Sequence, residues 1–207
     1  QTGDEDSQLR LQTIVRLRWL GVLGQLAAIA VVALVLEFRL PVGWCLYLTA
    51  CSAWLNVFLA VRFPARHRLS ARLATELLAY DILQLAALLY FTGGVQNPFT
   101  MLLVVPVTVS AATLPPRHTI VLALLAAAAA ILLTAFYHPL PWFPSQPLEH
   151  PFLYDLGIVT AVISTMLFMA LYARRLTRES KLMSAALTAT ELVLAREQKL
   201  HALDGLA

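Results

Sequence analysis

Six apolar runs, most of them about 18 to 22 residues long, recur along this 207-residue chain and constrain it more than any single residue does. A run of that length crosses a hydrocarbon core of about 30 Å as one helix. Lipid offers no partners to free N–H and C=O groups, so the backbone must satisfy itself within helices or a closed barrel. Hydrophobic residues reach 59% and charged residues only 13%, against about half and a quarter in a soluble domain. An all-α, multi-pass membrane protein is therefore expected, with no nucleic-acid partner. The chain opens at Gln1, and no short apolar stretch precedes a small-residue cleavage site, so no secretory signal is expected.

Residues 1–18 read as a polar tail, with Asp4, Glu5 and Asp6 ahead of Arg10, Arg16 and Arg18 in an amphipathic lead-in. Residues 19–173 read as a six-helix transmembrane domain, with spans at about 19–36, 42–61, 73–92, 98–113, 119–137 and 152–173. A basic loop with Arg62, Arg66, His67, Arg68 and Arg72 separates the second and third spans. The longest loop, His138 to Pro151, holds prolines that forbid a regular helix and the interfacial aromatics Trp142 and Phe143. Its histidines, His138 and His150, do not make a metal-ligand pattern, and no metal is expected. Cys45 and Cys51 share one span six residues apart, pointing to different faces, and read as small buried hydrophobes.

Orientation follows from the cations. On this topology one side receives every Lys and Arg of the 15 except Arg39. By the positive-inside rule that side is cytoplasmic, and both termini lie there. From Arg174 onward charged residues return. Leu182, Ala186, Ala189, Val193, Leu200, Leu203 and Ala207 fall in a four-three alternation broken only by Arg196. Residues 174–207 thus read as a signalling and dimerisation helix that continues the sixth span into a parallel coiled coil. A single helix lying on the bilayer is the alternative.

Ionisable groups inside spans are candidate functional groups. Asp81 falls near the middle of the third span, with Gln84 nearby and Glu76 nearer its cytoplasmic end. At that depth Asp81 is expected to be protonated, paired or hydrated. It serves as a proton acceptor or polar ligand contact, or as an interhelical clamp to Asn56 or Gln25. Glu76, four residues after Arg72, reads as a boundary ion pair.

Between the third and fourth spans lies Gly93-Gly94-Val95-Gln96-Asn97-Pro98-Phe99, polar residues in a very short gap. Capping accounts for much of it. Either glycine suits the left-handed residue that ends a helix, Asn97 suits an N-cap, and Pro98 suits the first position of the next helix. The conjunction goes further: glycine N–H groups, the amides of Gln96 and Asn97, and the Phe99 ring together match a ligand with carbonyl acceptors and an apolar tail. A quinone is such a ligand. Pro106 is expected to open the backbone of the fourth helix beside this loop.

Gly93, Gly94, Asn97, Pro98 and Phe99 match all five fixed positions of the Gly-Gly-x-x-Asn-Pro-Phe signature, and the chain resembles the RegB/PrrB family of redox-sensing histidine kinases over nearly its whole length. The resemblance implies a bacterial inner-membrane sensor with ubiquinone bound at Gly93, Gly94, Asn97, Pro98 and Phe99, a set to which the amide chemistry above adds Gln96. It also implies a homodimer and a response regulator of RegA/PrrA type. The 207 residues hold no His-Glu-x-x-x-Pro box, no glycine-rich ATP-binding region and no cysteine after residue 173. His201 is followed by Ala202 and Leu203 and reads as a coiled-coil surface residue. Kinase chemistry is therefore not expected of this chain itself. Two other readings compete: a small proton-coupled transporter using Asp81 and Glu76, and a structural anchor in which the heptapeptide is only a tight turn. No second copy of the glycine-asparagine-proline break appears in the other spans, against the paired broken helices frequent in transporters.

Overall fold

The computed structural model describes residues 11–63, 69–139 and 151–204, with side chains described from Ile14 onward and, in the last helix, through Glu191 and at Leu194. The tail before Leu11, Arg66 to Arg68, Trp142, Phe143, His150 and Ala207 lie outside the described residues. The side chains of Val193, Arg196, Leu200, His201 and Leu203 do so too.

Helix α1 (Leu11–Ala30) takes in the amphipathic lead-in ahead of Trp19 and ends in a π-helical turn, Val31–Val35. The reversal to α2 (Val42–Arg62) passes through Glu37 at φ 54°. Helix α3 (Ala71–Phe91) starts on Ser70, whose hydroxyl accepts from the Leu73 N–H at 3.3 Å. The fourth element, α4, is a 3-10 run, Pro98–Leu103, that becomes α-helical over Val104–Thr113. Helix α5 (Pro116–Ala135) begins with proline in its first turn, and α6 (Phe152–Asp204) is one unbroken helix of 53 residues.

Five of these helices are long and apolar enough to cross a bilayer; Pro98–Thr113 is shorter. Its opening 3-10 turns rise about 2.0 Å per residue rather than 1.5 Å, so the whole element reaches roughly 27 Å. That nearly matches a hydrocarbon core of about 30 Å. Pro106, expected to open the backbone of this helix beside the loop, falls where the helix changes from 3-10 to α. It occupies the third position of the α-helical part, immediately after the 3-10 run, and is buried. Intrahelical donors are not required of the first turn, so a missing N–H costs little there.

Helices α3 to α6 make a four-helix bundle. Its core holds Leu78, Ile82, Leu85 and Leu89 of α3, Leu103, Val104 and Val107 of α4, and Val162 and Met166 of α6. Helix α5 contributes Leu122 and Leu133 with Ala126, Ala129 and Ala130, small residues that let backbones approach where lipid supplies no hydrophobic drive. Helix α6 packs most extensively on α4. The α1–α2 hairpin attaches to the side of this bundle through a second cluster of Ile14, Leu59, Leu69, Ala74 and Leu77. Successive helices run antiparallel. Trp44 at the start of α2 stacks on Phe91 at the end of α3, and the N–H of His138, just beyond α5, donates to the Tyr90 carbonyl at 2.7 Å.

Candidate functional site

The heptapeptide forms two tight turns at the end of the bundle where α3 and α5 finish and α4 and α6 begin. Gly93 at φ 109° closes α3, and Gly94 at φ 61° opens the short 3-10 turn Gly94–Gln96. Both lie in the left-handed region that glycine enters without steric cost. Gly94 is constrained twice, because a Cβ there would come within 2.6 Å of the Leu133 carbonyl oxygen and of Tyr137 Cβ. Val95 is buried beneath the turn, and the Thr100 hydroxyl donates to the carbonyls of Gly94 and Val95, each at 3.2 Å.

Asn97 caps α4 as expected. Its Oδ1 accepts from the Phe99 N–H at 2.9 Å, while its Nδ2 donates to the Thr92 carbonyl and Oγ1 at 2.9 and 2.8 Å. One side chain thus ties the end of α3 to the start of α4. Asn97→Ala is expected to destabilise the loop by roughly 1–2 kcal/mol, the usual range for a lost N-cap. A thermal melt of the protein in detergent should show the drop, and Asn97→Asp, which keeps the Oδ1 acceptor, should recover part of it.

With Asn97 satisfied within the loop, the groups left facing outward differ from the expected set. Phe99 is 46% exposed and lies at the periphery. Gln96 is half-buried, and its Nε2 donates to Asp155 Oδ2 at 3.3 Å and to the Tyr137 hydroxyl at 3.5 Å. Tyr137 and Asp155 are absent from the site read in the sequence. Asp155 sits in the first turn of α6, where an acidic residue is an ordinary partner of the helix dipole. It is nonetheless the one carboxylate in an otherwise apolar run from Phe152 to Ala173, and that signal was available. Beside the loop, the His138 ring lies nearly parallel to Phe91, 6.0 Å between centroids, and edge-on to Tyr90 at 5.5 Å.

Asp81 stands elsewhere, and its partner is neither Asn56 nor Gln25. Its Oδ1 lies 3.2 Å from Arg18 Nη2 of α1. Arg18 also reaches Ser52 Oγ at 3.4 Å and lies over the Tyr80 ring. The two residues proposed as clamps pair otherwise. Gln25 and Gln84 exchange hydrogen bonds of 3.1 and 3.0 Å, and Asn56 donates to the Val15 carbonyl at 3.0 Å. Arg18, read as part of the polar tail, is thus drawn into the bundle to neutralise Asp81. Glu76 pairs with Arg72 at 3.1 Å on the surface, as expected. The carboxylates of Asp81 and Glu76 are therefore both engaged in ion pairs.

Two hollows of about 590 and 580 Å³ open along α2, one lined by Pro41, Val42, Gly43, Trp44 and Tyr47, the other by Tyr47, Cys51, Trp54, Phe58, Tyr80 and neighbours. Neither includes a heptapeptide residue. Their walls carry exposed aromatic side chains of α2, as expected of a helix that faces lipid.

Residues 6–183 match the PilS-like transmembrane domain family. The chain belongs to that family. It is also 40% identical over 197 residues to the sensor histidine kinase RegB of Cereibacter sphaeroides, covering 95% of this chain and 42% of the relative. A protein of the same name from Cereibacter sphaeroides strain ATCC 17023 is 41% identical over 198 residues, 95% of this chain and 43% of its own length. The resemblance read from the heptapeptide is borne out, and the chain spans less than half the length of the curated relatives it matches. No solved structure matches it. A PilS-like domain with these relatives is a multi-pass protein of the bacterial inner membrane.

Proposed function

We propose that this chain is the membrane sensor module of a two-component histidine kinase, and that the Gly93–Phe99 loop binds ubiquinone at the outer face of the membrane. The observation that carries this reading is the junction of Gln96 with Asp155. It places the loop directly against the first turn of α6, the helix that leaves the bundle at the other end. Phe99 offers an exposed ring to a ligand arriving through the lipid, and Gln96 offers an amide donor to a carbonyl oxygen. Gly93, Gly94, Asn97 and Pro98 shape the loop that presents them.

Both termini are cytoplasmic in this reading. Helix α6, about 80 Å long at 1.5 Å per residue, carries the state of the loop across the bilayer into a coiled coil of a homodimer. A kinase region beyond this chain then acts on a response regulator of RegA/PrrA type. The ligand exerts control only if it binds one arrangement of the bundle better than the other. The transporter reading loses its free carboxylates to the ion pairs of Asp81 and Glu76.

Photolabelling of the protein in lipid nanodiscs with an azido-ubiquinone tests the assignment. Label should map to the peptide containing residues 93–99, and Phe99→Ala should reduce it several-fold. Undiminished labelling of that peptide in Phe99→Ala, or label confined to α2, would overturn the site.

A further inference from the structure

Asp155 is 6% exposed, and its Oδ1 has no hydrogen-bond partner among the described residues. Among the described residues its Oδ2 is held by the 3.3 Å bond from Gln96. Burying a carboxylate oxygen without a partner is costly, and a contact of that length is near the weak end of the range. Gln96, bonded to the other carboxylate oxygen, is half-buried and also donates to the Tyr137 hydroxyl at 3.5 Å. Both contacts of Gln96 are long, so a ligand that takes its amide also releases the carboxylate. An ionised carboxylate only accepts hydrogen bonds, whereas the Gln96 amide also donates. The site therefore pairs an acceptor-only group with a donor at the junction of the loop, α5 and α6.

We infer that Asp155 is the group that distinguishes the two redox forms of the ligand, its free Oδ1 receiving a hydroxyl of the hydroquinone while Gln96 Nε2 donates to a carbonyl of the quinone. This rests on the quinone reading of the loop. A quinone ring presents carbonyl acceptors and has nothing to give Asp155; a hydroquinone presents O–H donors and completes its coordination. Because Asp155 belongs to α6, the form that bonds it pulls on the output helix, and the form that takes Gln96 releases the contact between loop and helix. The two forms thus leave α6 in different arrangements even where their affinities are similar.

The test is a titration of the protein in nanodiscs with a short-chain ubiquinone and, anaerobically, with the corresponding ubiquinol. Asp155→Asn, whose amide keeps only an uncharged acceptor, should weaken ubiquinol roughly fivefold, the difference between a charge-assisted and a neutral hydrogen bond, with ubiquinone changed much less. Gln96→Ala should have the opposite bias, weakening ubiquinone more than ubiquinol. Opposite shifts in the two variants support the inference. If Asp155→Asn fails to fold, Gln96→Ala alone decides the matter by the direction of its bias. Parallel shifts for both ligands in either folded variant would overturn the role of Asp155 while leaving the quinone site standing. Failure of the unaltered protein to bind either form would overturn both.

Discussion

Asp81→Ala is expected to destabilise the bundle by roughly 3–5 kcal/mol, the range observed when one member of a buried ion pair is removed. Most of that loss comes from Arg18. Its side chain is 4% exposed, and its Nε and Nη1 have no hydrogen-bond partners among the described residues. Without Asp81 the guanidinium keeps only the Ser52 hydroxyl and the face of Tyr80, neither of which neutralises it. Asp81→Asn should cost less, since an amide oxygen still accepts from Arg18. The double variant Arg18→Leu/Asp81→Leu should regain most of the stability, because an apolar pair of similar volume often replaces a buried ion pair at little cost. Titrating each variant with a denaturing detergent measures all three. A double variant no more stable than Asp81→Ala alone would mean that the pair holds α1 to α3 by geometry and not by charge compensation.

The second large effect falls on Gly94. Gly94→Ala is expected to cost roughly 2–5 kcal/mol, combining a left-handed backbone for a residue with a side chain and the overlap of its Cβ with Leu133 and Tyr137. The Leu133 contact is with a backbone carbonyl, so a rotamer change cannot relieve it. The loop must lift from α5, which carries Gln96 away from Asp155. Gly157→Ala serves as the control: nothing lies within 4 Å of a Cβ there, and the helix gains propensity. Thermal melts should separate the two variants widely, and ubiquinone photolabelling should fall in Gly94→Ala alone. Equal melting temperatures would show that the turn at Gly94 is softer than its contacts imply.

The contrast between these two residues marks what was legible in the sequence. The turn at Gly93–Pro98 was readable because stop, cap and start signals are local. Two glycines, an asparagine and a proline act within a few residues of one another, and the structure uses them as read. The spans were readable for a related reason, since run length against bilayer thickness is a property of each segment alone. Pairings between segments were not. Nothing in the order of residues says that Asp81 meets Arg18 and not Asn56, because that depends on the rotation of α1 against α3. The setting of Pro106 was not legible either, because it depends on the 3-10 run that moves the start of the α-helix to Val104. Asp155 carries little signal in the sequence, because a carboxylate in the first turn of a helix is accounted for by the helix dipole alone.

The pairing of Arg18 with Asp81 also sets an order of events during synthesis. The first helix is made and enters the bilayer while its counter-charge is still about sixty residues away, several seconds at ~5–20 residues per second. Arg18 lies only one turn past Ile14, where that span begins, so its guanidinium can wait at the headgroups by snorkelling. When α3 arrives with Asp81, the waiting arginine has reason to turn inward. A charge that looks costly in the finished bundle is, for the nascent chain, a means of recognising the right neighbour.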